Sequence, residues 1–171
     1  MIRLNRRFAV GSGGLARRTR RAVRLALLGA IVSGTGFMAQ TSLAAPACFF
    51  SSVSSVNFGA YNVFSTVADN SVGSLRIRCR GGGGSFAVTL STGWSNSYTS
   101  RIMRSGANQL NYNLYTDSAR TVVWGNGSGS SSFQAVTGNS TTTLTVYGQI
   151  PAGQDAAVGN YTDTIIATVT F

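Results

Sequence analysis

Four aspartates (Asp69, Asp117, Asp155 and Asp163), fourteen arginines and two cysteines make up the charged and thiol side chains, because histidine, lysine and glutamate are absent. Without imidazole there is no Ser-His-Asp or Cys-His relay and no imidazole metal ligand, and without lysine there is no Schiff base. Two cysteines are too few for a structural zinc site. What survives in principle is Asp-only or Ser-only catalysis, and an aspartate-dependent hydrolase needs paired carboxylates. Asp155 and Asp163 stand eight residues apart across a turn, and aspartates in that setting serve turns. The expectation from this inventory is a protein that is not an enzyme, with no catalytic residue, metal or cofactor site.

Three further features could bind rather than react. Arg76, Arg78 and Arg80 alternate with Leu75, Ile77 and Cys79, so one strand would carry a cationic face. Such a row is expected to be a solvated strand face that discourages edge aggregation, not a polyanion site. Gly81 to Gly84 lacks the following Lys and helix of a phosphate loop and reads as a hairpin turn. Trp94 and Trp124 could stack on sugars, but a lone Trp beside strand residues is expected in the core.

The elements that would position these residues begin after an export signal. Of the +10 net charge, eight arginines lie before residue 25; the rest of the chain has six arginines against four aspartates, or +2. No nucleic-acid partner is implied by that remainder. An apolar run follows from Leu25 to Ala39, softened by Ser33 to Gly36. It is short of the roughly 20 residues a membrane span needs. A basic start, a short apolar core and small residues describe a secretory signal. Ser42-Leu43-Ala44 places cleavage after Ala44, and the membrane is met only through this leader. A retained anchor is the rival reading. Asn5-Arg6-Arg7-Phe8 weakly resembles a twin-arginine signal, and a start codon placed too far upstream would equally explain the long basic leader. Export favours a disulfide between the only two cysteines, Cys48 and Cys79.

Residues 45–171 read as one all-β domain, rich in Ser, Thr, Val, Tyr and Gly. Val53, Val56 and Phe58 mark a first, irregular strand. Leu75 to Cys79, then Phe86, Val88 and Leu90, predict a hairpin about the glycine run. Leu110, Tyr112 and Leu114 form another inward row, and Val122 and Trp124 a short strand. Leu144, Val146, Gly148 and Ile150 alternate with polar residues, and a last strand runs from about Tyr161 to Phe171. Seven or so short strands predict a β-sandwich.

Several stretches, in this order, resemble the spore coat protein U domain, which is also the domain of Csu-type (archaic) chaperone–usher pilus subunits. They are Val56-Asn57-Phe58-Gly59-Ala60-Tyr61, Ile77-Arg78-Cys79, Arg101-Ile102-Met103, Leu110 to Asp117, Val123-Trp124-Gly125, Tyr147 to Gln154, and Gly159-Asn160-Tyr161-Thr162-Asp163-Thr164. The resemblance implies an incomplete immunoglobulin-like β-sandwich lacking its last strand. A donor strand from a periplasmic chaperone, and then from a neighbouring subunit, completes it by β-augmentation. It implies as partners that chaperone, an outer-membrane usher and other pilus subunits. The location implied is the periplasm in transit and then the cell surface, in a fimbria serving adhesion and biofilm formation. Ile165, Ala167, Val169 and Phe171 are the residues expected to meet the partner strand.

One feature departs from the pattern of a polymerising subunit. Cleavage after Ala44 leaves only Ala45-Pro46-Ala47 before Cys48, a reach of roughly 10 Å at about 3.3 Å per residue. Such a chain accepts a strand but cannot give one, which suits a tip or terminal subunit or a coat protein that does not polymerise. Cleavage after Gly36 would instead leave Phe37 to Ala47 as a donor. A stand-alone carbohydrate-binding sandwich is the alternative from another class.

Overall fold

The computed structural model describes residues 1–8, 47–80, 84–138 and 140–170. Among these residues nine strands and one short 3-10 turn are present. The strands are β1 (Ile2–Phe8), β2 (Ala47–Ser54), β3 (Asp69–Arg80), β4 (Gly84–Leu90), β5 (Arg101–Ser105), β6 (Asn108–Tyr115), β7 (Gln134–Gly138), β8 (Thr141–Ile150) and β9 (Asp163–Thr170). They form a four-stranded sheet in the order β1-β9-β4-β7 and a five-stranded sheet in the order β2-β3-β8-β6-β5. The fold is thus the all-β, two-sheet sandwich that the alternating sequence predicts.

Period-two patterning sets the layers. In β3, Leu75, Ile77 and Cys79 are buried while Arg76, Arg78 and Arg80 are exposed. Val146 and Ile150 of β8 and Leu110, Tyr112 and Leu114 of β6 complete that sheet's inner face. Phe86, Val88 and Leu90 of β4 and Ile165, Ala167 and Val169 of β9 oppose them. Trp124 fills the space between the sheets, fully buried, with its indole N–H donating to the Val88 carbonyl at 2.9 Å. Cys48 and Cys79 are register partners in β2 and β3 and are joined by a disulfide.

Several local expectations are corrected. β3 and β4 do not form a hairpin: β3 pairs with β2 and β8, and β4 with β7 and β9, so the chain passes between sheets after Arg80. Both strands are apolar on one face, and alternation alone does not say which partner each takes. Residues 81–83 of the glycine run lie outside the described residues, as do the Leu25–Ala39 run and the two candidate cleavage points after Gly36 and Ala44. Trp94 is not core: it is 58 % exposed, with the Arg104 guanidinium 5.2 Å from its ring centroid. The first strand of the domain ends at Ser54, and Val56 follows it as an isolated bridge partner of Ile2. Val123 and Trp124 make only isolated bridges, to Tyr115 and Ser132.

Candidate functional site: the edge of the last strand

β9 holds Ile165, Ala167 and Val169 fully buried on its inner face. Phe171 lies outside the described residues. On one side β9 pairs antiparallel with β4, from Ala87 opposite Thr170 to Leu90 opposite Ala167. Its other edge is taken by β1, parallel, from Ile2 opposite Asp163 through Leu4 opposite Ile165 to Phe8 opposite Val169. The edge of β9 that the family resemblance implies is open is paired here within the chain. The source is a segment more than 150 residues away in sequence, Met1 and Tyr161 being 160 apart.

β1 lies along β9 and also touches the segment that joins β2 to β3. Ile2 is fully buried and Leu4 nearly so, while Arg3 and Asn5 face solvent. The Ile2 amide donates to the Val56 carbonyl at 2.9 Å, on the crossing segment between β2 and β3, while the rest of β1 lies along β9. That crossing lies tight against β8: a Cβ at Gly148 would come within 2.6 Å of Val56 and 2.8 Å of Phe58. Glycine in β8 thus lets the segment carrying the Val56 carbonyl lie where β1 can use it. Near the start of β9 lies a cleft of about 780 Å³, lined by Met1, Phe58, Phe64, Leu110, Val158 and Tyr161 among others.

A polar latch fixes where β9 begins. Asp163, which the sequence assigns to a turn, opens β9 and is 2 % exposed. Its carboxylate accepts from the Tyr112 hydroxyl at 2.6 Å, the Thr164 amide at 2.6 Å and the Trp94 amide at 3.3 Å. Gly93, at φ +65°, leaves the room this carboxylate needs, since a Cβ there would collide with it. Burial raises the Asp163 pKa above the usual carboxylate value, partly offset by the hydrogen bonds from Tyr112 and Thr164. Burial likewise raises the Tyr112 hydroxyl, and the charge on Asp163 adds to that effect.

A second latch ties β5 to the β4–β9 side. Arg101 is fully buried and donates to the Ser91 carbonyl at 2.9 Å, the Trp124 carbonyl at 2.6 Å and the Asn113 side-chain oxygen at 2.7 Å. Ser91 in turn exchanges bonds with Ile166: its amide donates to the Ile166 carbonyl, and its hydroxyl accepts from the Ile166 amide, each at 2.9 Å. Burial lowers the Arg101 pKa, against the raising effect of the neighbouring tyrosines and Asp163. Among the described residues no buried side-chain N or O atom lacks a partner, and no group of three or more candidate metal ligands occurs. Among them, too, no helix is long and apolar enough to cross a membrane.

The sequence matches the Spore Coat Protein U domain over residues 35–168. The chain belongs to that family. It is also 40% identical over 74 residues to Protein U of Myxococcus xanthus, a stretch covering 42% of this chain and 40% of that protein. The fold is similar to that in the crystal structure of the CsuC–CsuE chaperone–tip adhesion subunit pre-assembly complex, from archaic chaperone–usher Csu pili of Acinetobacter baumannii. The TM-score is 0.54 at 22% identity, over 74% of this chain and 40% of that chain. The chain thus spans less than half the length of each of these two proteins.

Within the Spore Coat Protein U domain, the residues that carry the family resemblance hold loops and strands together. The Tyr61 hydroxyl donates to the Pro151 carbonyl at 2.9 Å and accepts from the Gln154 amide at 3.0 Å. Gln154 reads both backbone groups of Asn111, at 2.8 and 2.9 Å. Asp117 closes its own turn by accepting from the amides of Thr121 and Val122, which lowers its pKa. β1, which the sequence reading absorbed into a basic leader, lies outside the family match. The alternation Ile2, Arg3, Leu4, Asn5 was the signal that could have found it.

Proposed function

We propose that this protein is a structural, non-enzymatic subunit of a chaperone–usher surface fibre whose acceptor site is the β9 edge. The carrying observation is that β9 binds an additional strand across a long sequence separation. That strand buries Ile2 and Leu4 and pairs through seven register positions. A sheet edge with an apolar groove beside it is what β-augmentation uses: main-chain bonds give affinity and alternate side chains fill the groove. Ile165, Ala167, Val169 and Phe171 are the residues proposed to meet the incoming strand. Family membership and the pilus-subunit fold support the reading.

In this reading residues 1–44 are removed on export and residues 45–171 form the mature subunit. A periplasmic chaperone then supplies the first strand, an outer-membrane usher the exit, and a neighbouring subunit the final strand. With Ala45-Pro46-Ala47 alone before the disulfide, the mature chain accepts a strand without giving one, as a tip or terminal subunit would. Adhesion and biofilm formation at the cell surface are the proposed service of the fibre. The test is isolation from the periplasm of cells with and without the cognate chaperone. The expected result is a one-to-one chaperone complex in the first case and aggregation or degradation in the second. A soluble, chaperone-independent monomer would favour a stand-alone binding sandwich.

A further inference from the structure

We infer that Trp94 and Arg104 form a surface platform for an acidic polysaccharide, the indole carrying a pyranose ring and the guanidinium its carboxylate. The platform is independent of the β9 edge proposed to accept a strand, because it lies on the other side of β9. Ser91 exchanges its bonds with Ile166 on the side of β9 that pairs with β4, and Trp94 follows three residues later. A strand on the far edge therefore leaves the platform open.

A single exposed aromatic ring is ordinary on a protein surface. What distinguishes Trp94, 58 % exposed, is a fixed backbone under an unpaired side chain. Its amide donates to the Asp163 carboxylate, and the Ser95 hydroxyl closes the turn by donating to the Thr92 and Ser97 carbonyls at 3.1 and 2.9 Å. Gly93 and Asn96 on either side are in the left-handed region, at φ +65° and 55°. Arg104 is fixed in the same way. Its amide and carbonyl exchange both bonds with Thr162, at 2.9 and 3.0 Å, while its exposed guanidinium lies 5.2 Å from the Trp94 ring centroid. Among the described residues neither the indole N–H nor this guanidinium has a hydrogen-bond or carboxylate partner. The pair thus offers a flat apolar ring, one free N–H and one free cation. A uronic acid has the matching parts: a C–H face to stack, hydroxyls to accept from the indole, and a carboxylate for the guanidinium fork. Charge distribution favours a sugar over a nucleic-acid strand, which needs a positive groove along its backbone. Arg76, Arg78 and Arg80 are on β3, separated from β5 by β8 and β6; Arg101 is buried, and Arg120 donates to the Gly148 and Ser118 carbonyls. One cation therefore stands beside one ring, flanked by neutral groups. Gln109, the register partner of Arg104, is exposed, as is Thr164, whose amide shares the Asp163 oxygen with Trp94.

The test uses the leader-free protein purified from the periplasm of cells that carry the cognate chaperone. Whether it comes as a complex or alone bears on the acceptor reading and not on the platform. Isothermal titration compares trigalacturonate, its methyl ester and an oligothymidylate on the wild-type protein and on Trp94→Ala, Trp94→Tyr, Arg104→Ala and Arg76→Ala. Each of these side chains is exposed, so the variants should fold, as circular dichroism would verify. The wild-type protein should bind trigalacturonate and prefer it to the ester by at least about fivefold. Trp94→Ala should weaken that binding about tenfold, and Trp94→Tyr should keep most of it. Arg104→Ala should bind acid and ester alike, and Arg76→Ala should match the wild type. No binding of trigalacturonate, or equal binding by the wild type and Trp94→Ala, would overturn the inference. An Arg76→Ala loss as large as that of Arg104→Ala would also overturn it, as general attraction to positive surface. Tighter binding of the oligothymidylate, lost in Trp94→Ala, would overturn it in favour of single-stranded nucleic acid. The wild-type preference for acid over ester is read without any variant.

Discussion

The five-stranded sheet draws all its strands from residues 47–150, whereas the four-stranded sheet takes β9 from Asp163–Thr170 and β1 from Ile2–Phe8. The first is antiparallel throughout, and its β2–β3 pair is fastened by Cys48–Cys79. The second contains a parallel pair, β1–β9, joined to the remainder through β9. Parallel pairing cannot come from a tight hairpin; it needs a long connection or a second chain. The difference teaches that one sheet is completed within residues 47–150, while the other has a strand position beside β9 that is filled from the far end of the chain. The two polar latches mark the same boundary. Asp163–Tyr112 and Arg101–Ser91 hold β9 and its approach to the five-stranded sheet, and neither engages the far edge of β9, which pairs with β1.

The comparison breaks most completely if β9 is shortened. Deleting residues 168–171 removes the last pairs with both β1 and β4. The variant is expected to be abolished at the cell surface and lost from the periplasm, as scored by fractionation and surface immunodetection. Wild-type surface levels would show that β9 is not the handle.

Next in size are the buried ties. Arg101→Ala leaves the Ser91 and Trp124 carbonyls and Asn113 without their cationic donor, and should cost about 3–5 kcal/mol in urea unfolding. Arg76→Ala, on the solvent face of the five-stranded sheet, should stay within about 0.5 kcal/mol. Similar losses for both would deny the latch its role.

The disulfide acts on the five-stranded sheet. Replacing Cys48 and Cys79 together by Ala should cost roughly 3–4 kcal/mol in the chain-entropy account. Non-reducing mass spectrometry of periplasmic protein should find no alkylatable thiol in the wild-type chain; two would contradict the pairing.

The smallest effect is one of pH. Burial holds the folded Asp163 pKa above the unfolded value of about 3.9, so the folded state keeps the proton more tightly. Stability from this group is full below the unfolded value and falls as pH rises through the folded one. Asp163→Asn removes that titration. Between pH 4 and pH 7 the urea midpoint of the wild-type chain should therefore fall relative to that of the variant. Parallel pH profiles would contradict the shift.

Alternation made most of this fold legible. Leu75-Ile77-Cys79, Val146-Gly148-Ile150 and Ile165-Ala167-Val169 lie on inner faces as a two-residue period requires, because each strand has one solvated face. Strand partners were not legible in the same way, since a one-sided pattern is satisfied in either sheet; hence the hairpin expected after Arg80. β7, exposed at alternate positions and only partly buried at the others, offers no apolar row to read. Asp163 was hidden for another reason: a carboxylate buried among a tyrosine hydroxyl and two amides looks like a turn residue until the chain is folded around it. β1 carries the alternation in Ile2 and Leu4, but its arginines point equally well to an export leader, and pairing 160 residues distant has no local signature.

The central claim is that the β9 edge of residues 45–171 accepts a strand in trans. The direct measurement is a thermal melt of that domain, after sequencing its mature N-terminus, with and without donor-strand peptides from neighbouring subunits. Filling the groove with four or five apolar side chains at about 1.5–3 kcal/mol each gives roughly 6–15 kcal/mol before ordering costs. For a domain of this size the melting temperature should rise by tens of degrees, at about 3 degrees per kcal/mol. A stable monomer whose melting temperature no donor peptide changes would contradict the account.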